Sequence, residues 1–131
     1  MSMMNIEWSD EMSVGVASID ADHKKLVGLV NDLFSAFFIG VGDDAVTTVL
    51  TEVIDYTQHH FAREEDFLRT HGSATLAFHA EEHRKLTEQV LAISRQGASA
   101  LSEDVLLFLR DWLTHHILGT DMVSFMPYRS E

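Results

Sequence analysis

The sequence predicts an all-α protein, an antiparallel up-down-up-down four-helix bundle with an extended N-terminal arm. Three observations carry this. Apolar residues recur three and four apart in four stretches, the spacing that places side chains on one face of an α-helix. Turn-forming segments separate the stretches, and no segment alternates apolar and polar residues as a strand does. The only proline, Pro127, lies past the fourth stretch and so breaks no helix interior. Long amphipathic helices joined by short loops run antiparallel to their neighbours.

Residues 1–18 lack helical periodicity and form the arm, with Ile6 and Trp8 as its anchors and Trp8 as a cover over an apolar patch. The first helix, about 20–38, opens at Asp20 as N-cap and stops before Gly40 and Gly42; its stripe runs through Leu26, Val30, Leu33 and Phe37 and, traced backwards, lands on His23. The second, about 44–71, opens at Asp43 or Asp44 and ends at Gly72. Its length of roughly 40 Å suits a bundle helix, and its stripe passes through Val46, Val53, His60 and Glu64 to Leu68. The third, about 74–96, follows Ser73, carries Leu76, His79, His83, Leu86 and Val90, and closes at Gly97. The fourth, about 102–119, follows Ser102 and aligns Val105, Leu109, Trp112 and His116. All 131 residues form one domain.

Composition narrows the function. Hydrophobic residues make up 46% of the chain, enough for a packed core. A formal charge of −12 without a basic cluster argues against nucleic acid and against anionic lipid as partners. The absence of cysteine removes disulfides, thiolate zinc sites and iron–sulfur clusters. No secretory signal opens the chain and no apolar run approaches a membrane span, so no membrane insertion and a cytoplasmic location are expected.

The decisive feature is polar. His23, His60, Glu64, His79, His83 and His116 all occupy core-facing positions, drawn from four helices. Taken singly, each histidine is better read as a buried residue with a local hydrogen bond. The set resists that reading. An unpaired buried polar group costs about 1–3 kcal/mol, so six of them approach a domain's net stability of about 5–15 kcal/mol. A shared metal would satisfy them together, and bundle cores build such sites from inward side chains on facing helices. Imidazole donors favour zinc, copper, iron or nickel over calcium or magnesium. The donors exceed the four of a tetrahedral zinc, so either fewer of them bind or two metals are present. Asp121 lies five residues beyond His116, one off an ideal helical stripe; a local π-type widening near Gly119 would bring both onto one face.

These residues resemble the hemerythrin family, in its single-domain bacterial form, over essentially the whole chain. The matching elements are Ile19-Asp20 followed by His23-Lys24, His60-Phe61 with Glu64-Glu65, His79 and His83 as H-x-x-x-H, and His116 with Asp121 as H-x-x-x-x-D. The resemblance implies two non-haem iron ions per chain, ligated by His23, His60, His79, His83 and His116 and bridged by Glu64, Asp121 and a hydroxo or oxo ligand. It places His79, His83 and His116 on one iron and His23 with His60 on the other, which keeps an open position for dioxygen. The implied function is reversible dioxygen binding for storage, transport or delivery, without catalysis. The partners are then dioxygen and an oxygen-consuming enzyme, and the chain is a monomer.

Two other functions fit parts of the sequence. A di-iron enzyme or reservoir handling nitric oxide, peroxide or iron would use the same ligands. The segment from His79 to His83 also matches H-x-x-E-H, a zinc peptidase signature with Glu82 as general base; it leaves His23, His60, His116 and Asp121 without a role. The absence of any Glu-x-x-His motif separates the chain from carboxylate-rich di-iron oxygenases. Among the remaining polar residues, His59, His115, Glu65, Glu81 and Glu82 are expected at the solvated flanks and His71 at the end of the second helix, where its charge favours the dipole. Tyr56 is expected as a packed core tyrosine. Phe61, Trp112, Leu113 and Ile117 are expected to pack over the site, as core residues or as a barrier to water.

Overall fold

The structure is a computed structural model that describes residues 5–40, 42–97 and 101–129. Residues 1–4 of the expected arm, and 130–131 of the expected domain, lie outside the described ones. Helix α1 spans Ala17–Ile39, α2 Asp43–Thr70 and α3 Leu76–Gln96. The fourth bundle helix is composite: α4 (Glu103–His115) runs into a π-helical turn over His116–Asp121 and then a short α5 (Met122–Phe125). Among the described residues there is no strand, and no helix is long and apolar enough to cross a membrane. The result is the four-helix bundle that the apolar spacing predicts.

Local chemistry explains the helix ends. Gly40 ends α1 in the left-handed region at φ 77°, with its N–H donating to the Ala36 carbonyl. Ser102 caps α4 by accepting from the Val105 N–H at 3.3 Å. The third helix begins at Leu76, two residues later than expected, after a turn in which Ser73 and Thr75 bond each other. Asp20 is not the N-cap of α1. The helix starts three residues earlier, and the Asp20 carboxylate instead reaches back to accept from the Val14 N–H at 2.8 Å and from the Ser13 hydroxyl. That contact ends the arm and fixes its angle of entry.

The described part of the arm is tied down from Ile6 onward. Ile6 is buried and exchanges two hydrogen bonds with the Asn31 side chain, at 2.8 and 2.9 Å. Trp8 packs against the core, as expected of a patch cover, with the Lys24 ammonium 5.4 Å from its ring centre. Gly15, at φ 80°, lies so close to Arg129 that a Cβ there would sit 2.8 Å from the Arg129 Cγ. The last described turn therefore closes over the arm.

The apolar core is divided. A larger cluster includes Leu26, Val30, Leu33, Val53, Ile54, Leu86, Leu106 and Leu113. A smaller one joins Val14, Val16 and Ile19 to Leu68 and Phe125, with Leu76 packed against them. The predicted ligands lie where the two clusters approach each other, with Phe61 and Ile117 of the larger cluster set among them.

Candidate metal centre

All seven predicted residues, His23, His60, Glu64, His79, His83, His116 and Asp121, converge between the two apolar clusters, and each is buried. Their donor atoms form two overlapping groups. One holds Glu64, His79, His83, His116 and Asp121; the other holds His23, His60, Glu64 and Asp121. Within each group the atoms lie within 4.8 Å of one another. The histidines of both groups turn Nε2 inward.

The carboxylates divide their oxygens between the groups. Glu64 Oε1 faces His79 at 3.2 Å and His83 at 3.0 Å, whereas Oε2 faces His23 at 3.0 Å and His60 at 2.9 Å. Asp121 repeats the pattern: Oδ1 faces His79 at 2.9 Å and His116 at 3.0 Å, and Oδ2 faces His23 at 3.0 Å. The π-helical turn makes the second half of this possible. In a regular α-helix a residue five positions on is rotated about 140° away; the wider turn returns Asp121 to the face of His116.

Mutual hydrogen bonding accounts for only part of this proximity, in the contacts of Glu64 with His23 and His79. Nε2 of His83, Nε2 of His116 and both carboxylate oxygens of Asp121 are buried and have no hydrogen-bond partner of acceptable geometry, although oxygens and nitrogens approach to about 3 Å. Such atoms point past one another at common centres. Buried polar groups are ordinarily bonded, and a cation at each centre would satisfy the whole set.

Electrostatics agree. Burial alone would lower the pKa of His23, but the adjacent carboxylates of Asp121 and Glu64 outweigh it and raise the ring to about 10. The same opposition, burial against Asp121 and Glu64, raises His79 to about 9. Burial would raise the Glu64 carboxyl, yet His60, His23 and His79 hold it well below the usual range. Burial and the Glu64 charge would raise Asp121 too, but His116 and His23 hold it low. Without metal, protons occupy the places a cation would take.

The outward nitrogens show what the sequence conceals. His83 Nδ1 donates to Glu65 at 2.8 Å, and His116 Nδ1 lies 3.4 Å from Glu82, which accepts from Thr120 at 2.7 Å. Glu65 and Glu82 are therefore partners of the cluster rather than solvated bystanders. Glu82, the base of the peptidase signature, is engaged with Thr120 and with the outward nitrogen of His116. His79 Nδ1 lies 2.8 Å from Ser124 Oγ, which accepts from Thr75. His60 Nδ1 donates to Asp22 at 3.1 Å. Tyr56 is half-buried and packs against the larger apolar cluster, as expected, and its hydroxyl donates to Asp22 at 2.6 Å. Glu81 pairs with Arg84 at the surface, His59 and His115 are exposed, and His71 is the C-cap of α2, all as expected.

Aromatic rings wall the cluster. Phe61 stacks on His83, with centroids 3.7 Å apart and planes within 5°, and Trp112 stacks on His116 at 4.8 Å. Leu113 and Ile117 are buried beside them.

A four-helix bundle with a buried histidine–carboxylate cluster of this kind defines a metal-binding bundle protein. The comparisons with known proteins specify which. Residues 14–126 match the family described as Hemerythrin HHE cation binding domain, and the chain belongs to the hemerythrin family. It is 31% identical over 121 residues to a bacteriohemerythrin of Stenotrophomonas maltophilia, covering 91% of this chain and 78% of that protein. A hemerythrin-like protein of Naegleria gruberi is 28% identical over 115 residues, covering 88% of this chain and 87% of its own. Among solved structures, the crystal structure of a wild-type hemerythrin superposes with a TM-score of 0.87 at 29% identity, covering 96% of this chain and 98% of that one. A leucine-to-tyrosine mutant of hemerythrin superposes at 0.89 with 28% identity, covering 98% and 100%.

Proposed function

We propose that this chain binds dioxygen reversibly at a pair of non-haem iron ions, for storage, transport or delivery. One observation carries the reading. Glu64 and Asp121 each offer one oxygen to the three-histidine group and the other to the two-histidine group. Carboxylates split in this way are arranged to bridge two ions, and a single ion would leave half of the donors unused. His79, His83 and His116 would hold one iron, and His23 with His60 the other.

The two-histidine group has one imidazole fewer, and the shortfall is where a small ligand would enter. Ferrous ions held there would supply the electrons for reversible dioxygen binding. The protein's own part is to exclude water and to fix the donors. Phe61, Trp112, Leu113 and Ile117 cover the cluster on its apolar side. A cavity of about 20 Å³ follows, lined by residues one turn from ligands on every helix: Leu26, Thr57, Leu86 and Leu113. Such a space suits a small uncharged molecule and holds about one water at most.

Binding is favoured over oxidation by the ratio of five imidazoles to two carboxylates, which places less negative charge on the metals than a carboxylate-rich site does. The test is stopped-flow mixing of the anaerobically loaded ferrous protein with oxygenated buffer, followed by deoxygenation. The reading expects a coloured form that bleaches back to the ferrous spectrum over repeated cycles. A single irreversible oxidation with release of product would instead mark an enzyme or an iron store.

A further inference from the structure

The two ligand groups are supported unequally from outside. In the three-histidine group two outward nitrogens are hydrogen-bonded, His79 to Ser124 and His83 to Glu65, and His116 Nδ1, though without a hydrogen-bond partner, lies 3.4 Å from the Glu82 carboxylate. In the two-histidine group, His23 Nδ1 is buried with no hydrogen-bond partner. The orientation of that group is therefore fixed from outside through His60 alone, by Asp22.

Asp22 is built to do this. It precedes His23 on α1, is 7% exposed, and belongs to neither set of converging donors. Its Oδ2 receives His60 Nδ1 at 3.1 Å and Arg63 Nε at 3.0 Å, and its Oδ1 receives the Tyr56 hydroxyl at 2.6 Å. Tyr56, His60 and Arg63 lie four and three residues apart, on one face of α2. A buried carboxylate is costly unless bonded, and here three donors from successive turns bond it. An imidazole that donates Nδ1–H to a carboxylate is locked in the tautomer with a bare Nε2 and becomes a stronger metal donor. Glu65 makes a similar bond to His83, but its side chain is 25% exposed beside an open groove, where water can take its place. The Asp22 side chain is 10% exposed.

We propose that Asp22 is the positioning residue on which the two-histidine half of the centre depends, with Tyr56 and Arg63 as its anchors. The inference rests on the two-metal reading above, and its test separates the two. The metal-free 131-residue chain is titrated anaerobically with cobalt(II) against a competing chelator, for the wild type and for Asp22→Ala, Asp22→Asn and Tyr56→Phe. The expected wild-type result is two equivalents. Asp22→Ala should weaken one equivalent by about 10- to 100-fold and leave the affinity and visible spectrum of the other unchanged. Asp22→Asn, which keeps an acceptor oxygen, should recover part of the loss. Tyr56→Phe removes one anchoring hydrogen bond and should weaken the same equivalent by about 3- to 10-fold, which carries the test if the alanine variant does not fold. Two unchanged equivalents in the variants, or two weakened equally, overturn the role of Asp22 alone. A wild-type chain that takes one equivalent overturns the two-metal reading and this inference with it.

Discussion

Two regions of the bundle interior are held together by different physics. In one, Leu33, Leu106, Val30 and Val53 pack as an ordinary apolar core, where each contact is non-directional and stabilises by burial. Between that core and the smaller apolar cluster, five imidazoles and two carboxylates are buried together. There, direction matters: an oxygen of Glu64 moved to the wrong side disconnects one histidine group. The apolar region resists small changes of shape, whereas the polar region has one arrangement that satisfies its atoms. This is why the metal-facing turn carries the backbone irregularity, the π-helical segment at His116–Asp121, and the apolar half of that helix does not.

Substitution should separate the regions. The largest effect on metal is expected from Glu64→Ala, which takes a donor from both groups. Elemental analysis should show metal falling from two per chain to less than one. Unfolding of the metal-free variant should show a loss of about 3–5 kcal/mol, because the surrounding histidines lose a buried partner. A value near the wild type on both measures would mean that Glu64 bridges nothing. Leu33→Ala, in the apolar region, should cost about 2–5 kcal/mol in denaturant unfolding, yet bring two metals to each folded chain. Loss of metal at that distance would show the two regions to be one cooperative unit.

The pH dependence of the metal-free chain is a finer probe of the same contrast. His23 and His79 are raised from the ordinary 6.5 to about 10 and about 9. Each therefore contributes stability that is full below pH 6.5 and lost as the pH rises through 9 to 10. Glu64 and Asp121 are lowered, so their contribution is full above the ordinary carboxylate range and lost as the pH falls through their depressed values. Thermal unfolding followed from pH 6 to pH 10 should show a steady fall in the metal-free protein. The metal-loaded protein should stay nearly flat, since the cation replaces the protons. The smallest effect belongs to the surface: Arg84→Ala removes exposed pairs with Glu81 and Glu88 and should leave the melting temperature unchanged.

The apolar region was legible in the sequence because helical periodicity is a local property. His23, Glu64 and His83 were legible for a related reason: polar residues on an apolar stripe are conspicuous once the stripe is drawn. Even the π-helical turn was readable, because Asp121 stood one residue off the face its chemistry required. Asp22, Glu65 and Glu82 were hidden. Each adjoins a ligand in sequence, Glu65 and Glu82 reading as solvated flanks and Asp22 carrying no signal of its own; only the packing of one helix on another shows that they meet His60, His83 and His116. Asp20 misled for a similar reason, since its partner is the arm and not the helix end.

The central claim is that the split carboxylates hold two ions rather than one. Anaerobic titration of the metal-free protein with ferrous iron, read by calorimetry and by elemental analysis after desalting, addresses it most directly. Saturation at two irons per chain, with proton release on binding, is the expected result. Saturation at one, or retention of none, would contradict it.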